Sequence, residues 1–280
     1  VDACNAQTGP IFLCYRENLI IDACVEKICH RQKPLYEFVS SDQVHNRIWD
    51  VKQEEDISLL QNAFAEMQEI YIADGHHRCA SAVKVGLSRR QKDLHPTGQK
   101  EYDFFLSVLF PDSQLMIMDY NRVVKDLNGL DTETFLRKVS AKFDVMKMQS
   151  GQVRPEEKGT FGMYLEDRWY LLKAHAEIRK DDAVDGLDVS VLQNELLGPV
   201  LGIGDPRTDD RIDFIGGIRG LSELERRCHE DMKVAFAMYP TSIHELFAVA
   251  DAGRLMPPKS TWFEPKLLSG LFIHAINDKI

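Results

Sequence analysis

The sequence predicts an α/β (or α+β) fold, a mixed sheet with flanking helices, and three observations carry that expectation. Short apolar runs such as Ile11–Tyr15 (IFLCY) and Phe104–Phe110 (FFLSVLF) have the length of buried strands. Segments with apolar residues every three to four positions alternate with them, as amphipathic helices do. Asn, Asp, Gly and Pro punctuate the junctions, so each segment is bounded by turn chemistry. Alternation through the whole chain argues for layered helices and strands.

Ile11–Tyr15 is the first buried strand. Asn18 is placed to cap a helix through about Arg31, with Ile20, Ile21, Cys24, Val25 and Ile28 on one side. Leu35–Val39 and Val44–Val51 read as strands around a polar Ser-Ser-Asp turn. Glu54–Met67 reads as a helix, since Ile57, Leu60, Phe64 and Met67 recur at helical spacing. Glu69–Ala73 reads as a strand, and Arg78–Arg90 as a helix ending near Gly86. Pro96 and Gly98 make Lys92–Lys100 a loop. Phe104–Phe110 reads as a central strand covered on both faces, and Leu115–Val124 as another strand.

Beyond Gly129 the pattern continues with a helix over Asp131–Phe143, capped by Asp131 or Thr132. A hairpin follows, with Phe161–Leu165 and Trp169–Leu172 flanking Glu166-Asp167-Arg168. Helices over Val189–Leu201, Ser222–Glu230 and Ser242–Ala252 alternate with strands at Ile212–Ile215 and Val234–Tyr239. Gly202-Ile203-Gly204 and Gly216-Gly217 lie outside any dinucleotide-binding glycine pattern, and neither a phosphate-loop lysine motif nor a GxSxG elbow occurs.

The chain has 280 residues, 44% of them hydrophobic, enough for one large core or two ordinary ones. Its net charge of −10 disfavours a general nucleic-acid binder, because such a surface repels phosphate backbones. No apolar run is long enough for a membrane span. The amino terminus lacks the basic start and apolar stretch of a secretory signal. The six cysteines form no CxxC pair and read as free thiols in a cytoplasmic protein.

Asp74-Gly75-His76-His77-Arg78 stands out because it follows an apolar strand and opens a helix. Gly75 permits a positive φ and close approach to a ligand. The first N–H groups of a helix lack internal partners, and the helix dipole adds positive character there, which favours an anion. Arg78 offers a planar fork that matches a phosphate at two points. His76 and His77 can donate to phosphate or move protons near neutral pH. Against this stands the common surface turn, since Asp-Gly is a frequent turn and paired histidines are frequently solvated. The apolar strand, Arg78 and the small residues Ala80, Ser81 and Ala82 favour the anion site. A metal set of Asp74, His76 and His77 ranks lower.

The second candidate stretch is Met256–His274, MPPKSTWFEPKLLSGLFIH. Lys259, Ser260, Thr261 and Lys266 place two cations and two hydroxyls in a proline-stiffened loop suited to an anion. The alternative is a solvated loop anchored by Trp262 and Phe263. His45 reads as a strand histidine.

The Gly75–Arg78 turn resembles the phosphate-binding motif of the ParB and sulfiredoxin superfamily, and more closely its free-serine kinases. Over most of its length the chain resembles domain-of-unknown-function family 1015, through Asn5–Arg16, Ile72–Ala82 and Met256–His274. The resemblance implies a ParB/sulfiredoxin-like nucleotide-binding region at 1–128. It implies a second α+β region at 129–280 closing over the site. It implies a nucleotide-dependent phosphotransferase acting on a small metabolite, with ATP or ADP, or else CTP, and Mg²⁺. Gly75, His77, Arg78, Lys259, Ser260, Thr261 and Lys266 would hold phosphates, with Asp74 or His76 as the proton acceptor or Mg²⁺-orienting group. A nucleotide-binding regulator and a ParB-like DNA-associated protein are the alternatives, and a homodimer is compatible with either. Members of the family carry a long segment before the Asn5 stretch, so an acidic base of the serine-kinase kind is expected to be absent here.

Overall fold

The computed structural model describes residues 1–277. The chain is mixed α/β, and its contacts divide it into two compact units, Val1–Leu115 with the chain from Leu267 on, and Met116–Lys266. The sequence placed a boundary after residue 128. Residues 116–124 fall in the second unit because their strands pair there.

In the first unit, β1 (Ala6–Gln7) leads into β2 (Ile11–Tyr15), which is buried at all five positions. Asn18 caps α1 (Leu19–Arg31), its side chain accepting from the Ile20 and Ile21 N–H groups as the sequence predicts. The hairpin β3 (Tyr36–Val39) and β4 (His45–Ile48) pairs Val39 with His45, and His45 Nε2 lies 2.8 Å from Glu37 Oε1. That contact links the two strands of the hairpin. α2 (Glu54–Ala65) packs on α1, and its Asp56, 2% exposed, accepts from Arg31 at 2.7 Å and from Lys27 at 3.2 Å. β5 (Tyr71–Asp74) and α3 (His76–Lys92) follow, then β6 (Ser107–Pro111).

β2 is the middle of a three-stranded sheet in the order β5-β2-β6, antiparallel to β5 and parallel to β6. The apolar run at 104–110 therefore ends as an edge strand and not a central one. Only Pro111 in β6 is fully buried. Phe104 and Phe105 precede the strand and are 48% and 40% exposed. A terminal strand, His274–Ala275, returns to pair with β1.

In the second unit, the expected strand at 115–124 is broken at Asp119 into β7 (Met116–Met118) and β8 (Tyr120–Val124), which join different sheets. The expected helix at 131–143 stops early. α4 is Thr132–Val139, capped by Asp131, and Phe143 begins β9 (Phe143–Lys147). The hairpin is β10 (Thr160–Leu165) and β11 (Arg168–Ala174), turning on Glu166 and Asp167, both at positive φ. That is the turn whose twist matches paired strands. α5 (Asp188–Leu192) runs into a π-helical turn at Gln193–Leu197.

β12 (Ile212–Gly216), α6 (Leu221–Glu230), β13 (Val234–Met238), α7 (Ile243–Asp251) and β14 (Trp262–Glu264) complete the unit. Its six-stranded antiparallel sheet has the order β12-β8-β13-β10-β11-β9, and β14 pairs with β7. Phe135, Phe161, Leu172, Leu192 and Phe236 pack one core cluster, and Val123, Trp169, Leu224 and Ala235 another. Among the described residues no helix is long and apolar enough to cross a membrane.

Candidate functional site

β5 delivers Asp74 to the end of the first unit's sheet. Asp74 pairs opposite Phe12, and the register slips between Phe12 and Leu13, so the strand bends where it ends. Gly75 then takes a left-handed conformation, φ 88° and ψ 27°, and becomes the N-cap of α3. The helix begins at His76, two residues earlier than the sequence suggested, so the turn is Asp74-Gly75 alone. His76, His77 and Arg78 form the first helical turn, and all three are exposed.

No side chain caps this end of α3, and its first turn carries no acidic residue. The first turns of α1, α2, α4, α6 and α7 each carry at least one. A helix N-terminus is the positive end of its dipole, where acids stabilise and cations do not. α3 places an arginine and two histidines there, and puts Arg89, Arg90 and Lys92 correctly at the other end. The first N–H groups of α3 therefore have no side-chain acceptor from the chain's own cap.

Arg78 folds back over the turn. A methyl group at Gly75 would lie 2.8 Å from both its Nε and NH2, so any side chain at 75 would displace the guanidinium. Its stem passes Gly9, where a methyl group would lie 3.5 Å from Cδ. Asp74 Oδ1 accepts from the Gly75 N–H at 2.8 Å, and its Oδ2 stands 3.7 Å from Arg78 NH2. Gly9 is the contributor that residue-by-residue reading missed. Its one signal was the Thr8-Gly9-Pro10 punctuation before a buried strand.

The C-terminal stretch falls mainly in the second unit. Lys259 adopts φ 57°, its carbonyl accepts from Arg122 NH2 at 3.1 Å, and its Nζ stands 5.6 Å from the Tyr120 ring centre. Burial lowers the Arg122 guanidinium pKa to about 10. Lys266 Nζ lies 4.6 Å from the Trp262 ring centre. Ser260 corrects an expectation. It is 5% exposed, its hydroxyl donates to the Pro257 carbonyl at 2.6 Å, and its own carbonyl accepts from Thr241. Its hydroxyl holds the loop together and is not presented to an anion. Thr261 is half-buried beside it. The Gly216-Gly217 pair is explained by packing. A methyl group at Gly216 would lie 2.6 Å from the Trp262 ring, and one at Gly217 would collide with Asp119.

Among the described residues no cluster of three or more His, Cys, Asp or Glu could hold a metal ion.

Fold and site together define a two-unit α/β protein with an uncapped helix N-terminus, bearing His76, His77 and Arg78, at the edge of its three-stranded sheet. The chain belongs to the family described as protein of unknown function (DUF1015), whose model matches residues 1–190. No curated protein matches it. Among solved structures it is similar to a conserved hypothetical protein from Pyrococcus furiosus. The two are 14% identical, covering 95% of this chain and 80% of that one, with a TM-score of 0.42. It is also similar to a free serine kinase in complex with AMP, 14% identical, covering 91% and 83% of the two chains, with a TM-score of 0.38. A mutant of free serine kinase in complex with ADP is 15% identical over 90% and 83%, also at 0.38. At such scores the likeness assigns no residue a role here.

Proposed function

We propose that the chain binds a nucleotide by its phosphates at Gly75–Arg78 and transfers a phosphoryl group to the hydroxyl of a small metabolite. The observation that carries this reading is the first turn of α3, uncapped, without an acid and topped by Arg78. The backbone N–H groups of this turn and the Arg78 fork hold phosphate oxygens. Asp74 or His76 takes the proton of the acceptor hydroxyl as its oxygen bonds to phosphorus and the bond to the leaving phosphate oxygen breaks. Mg²⁺, when bound, neutralises charge on the phosphates. The proposal uses residues of the first unit alone.

The test is incubation of the purified protein with Mg²⁺ and ATP, ADP or CTP, each with serine or another small hydroxyl compound, followed by chromatography of the nucleotide. Loss of one phosphate that depends on the acceptor supports the transferase. Saturable binding without turnover assigns the site to a nucleotide-sensing regulator instead. No binding of any of the three ends the nucleotide reading.

A further inference from the structure

The turn at Gly75 supplies one wall of the site, and the sequence-distant end of the same unit supplies the other. The Gly270 N–H donates to the Thr8 carbonyl at 2.8 Å, and the Ile276 N–H donates to the Asn5 carbonyl at 3.1 Å. Between them the terminal strand pairs Ala6 with Ala275 and Gln7 with His274. Arg89 on α3 fastens the far end, donating from NH1 to Asn5 Oδ1 and to the Ile276 carbonyl. The terminal segment is thus hydrogen-bonded along residues 5–8, and Gly270 at φ 79° turns the chain at Ser269.

That turn sets the Ser269 hydroxyl beside Arg78. A methyl group placed on Gly9 would lie 3.6 Å from Ser269 Oγ, 3.5 Å from Arg78 Cδ and 4.0 Å from Arg78 NH1. The hydroxyl and the guanidinium therefore flank one side-chain-free point. Ser269 is exposed, and among the described residues its hydroxyl takes no protein partner. Glycine at 9 and at 75 lets the Arg78 side chain lie against the main chain at both positions, with the Ser269 hydroxyl on the same side of Gly9.

We propose that Ser269 is a phosphate-binding residue of this site, its hydroxyl donating to the anion that Arg78 grips. The assignment rests on the phosphate reading of Gly75–Arg78 and adds a second wall to it. Ser269 then distinguishes phosphate-bearing ligands from the bare nucleoside, because its only task is a hydrogen bond to a phosphate oxygen.

Isothermal titration with ADP and with adenosine, on the wild type, Ser269→Ala, Ser269→Thr and Arg78→Ala, tests this, with thermal melts alongside. Ser269→Ala is expected to weaken ADP about tenfold, as the loss of one charge-assisted hydrogen bond does. It should leave adenosine affinity and the melting temperature unchanged, and Ser269→Thr should retain most of the ADP affinity. Wild-type ADP affinity in Ser269→Ala, with Arg78→Ala weakened, overturns the role of Ser269 and leaves the site standing. An earlier melt in Ser269→Ala with equal losses for ADP and adenosine assigns Ser269 to structure and also overturns it. A wild type that binds no ADP, or an Arg78→Ala protein that binds it unchanged, removes the site and this inference with it.

Discussion

Arg78 is half-exposed, and the carboxylate nearest to it, Asp74 Oδ2, stands 3.7 Å away with its own side chain more than half exposed. An ion pair of that length and exposure contributes at most about 1 kcal/mol. That pair therefore adds little to stability. Arg78→Ala is expected to lower nucleotide affinity roughly ten- to a hundredfold while the melting temperature stays nearly constant. Arg78→Lys should restore only part of the loss, since an ammonium keeps the charge but not the planar fork. Titration and melting of the two variants check this, and an Arg78→Ala protein that melts early yet binds as before contradicts it.

Asp188 makes a second residue-scale case. It is 8% exposed, and both its oxygens accept from the Gly159 N–H at 3.0 Å. Burial raises its carboxyl to about 6 from an ordinary 3.8, the Gly159 hydrogen bond pulling the other way. The folded state binds this proton more tightly than the unfolded one. The group therefore costs stability above pH 6, and that cost fades as pH falls towards 4. Asp188→Asn keeps an acceptor for the Gly159 N–H without the charge. The variant should be more stable than the wild type at pH 7, by up to about 3 kcal/mol, with the difference vanishing near pH 4. Denaturant titrations across that range measure it, and a variant less stable at pH 7 sinks the idea.

At the scale of elements, α3 begins at the candidate site and is fixed along its length by close packing. Gly86 sits in its middle, where helix propensity alone favours alanine by about 1 kcal/mol. A methyl group there would lie 2.5 Å from the Tyr102 carbonyl oxygen. That oxygen belongs to backbone, beside Asp103, which pairs with Arg90 of the same helix. The helix has no cheap way to yield. Gly86→Ala should destabilise the protein by about 1–3 kcal/mol, the usual cost of overpacking. A higher melting temperature for the variant would show that propensity wins and the packing is loose. The glycine was legible in the sequence as the end of a helix. In the structure α3 continues to Lys92, and Gly86 marks a close approach instead.

For the whole molecule, legibility followed the range of the interaction that shapes each part. IFLCY was readable as a buried strand because its five apolar residues suffice to require cover on both faces. Asn18 was readable as a cap because it bonds to N–H groups two and three residues on. The 104–110 run was just as apolar, yet it became an edge, since nothing within it states how many strands lie beyond. The break at Asp119 was invisible for a similar reason. It is set by Asn121, which donates to Asp119 and accepts from the Met238 N–H, and by Gly217, whose N–H donates to the Asp119 carbonyl. The candidate site divides the same way. Gly75 and Arg78 lie three residues apart and could be read together. Ser260 could not be excluded from sequence, because its acceptor is fixed by how the Pro257–Ser260 turn closes.

By itself the sequence determined the α/β class, most of the helices, the caps and the strand–glycine–helix turn, since each follows from propensity, periodicity or hydrogen bonds within a few residues. Only the tertiary structure decided which strands are edges and that the last strand returns to the first. It also decided that Ser269 stands beside Arg78 while Ser260 is enclosed elsewhere. A two-residue strand such as Ala6–Gln7 has no periodicity to read, and its pairing with His274–Ala275 is selected by chain closure over more than two hundred residues.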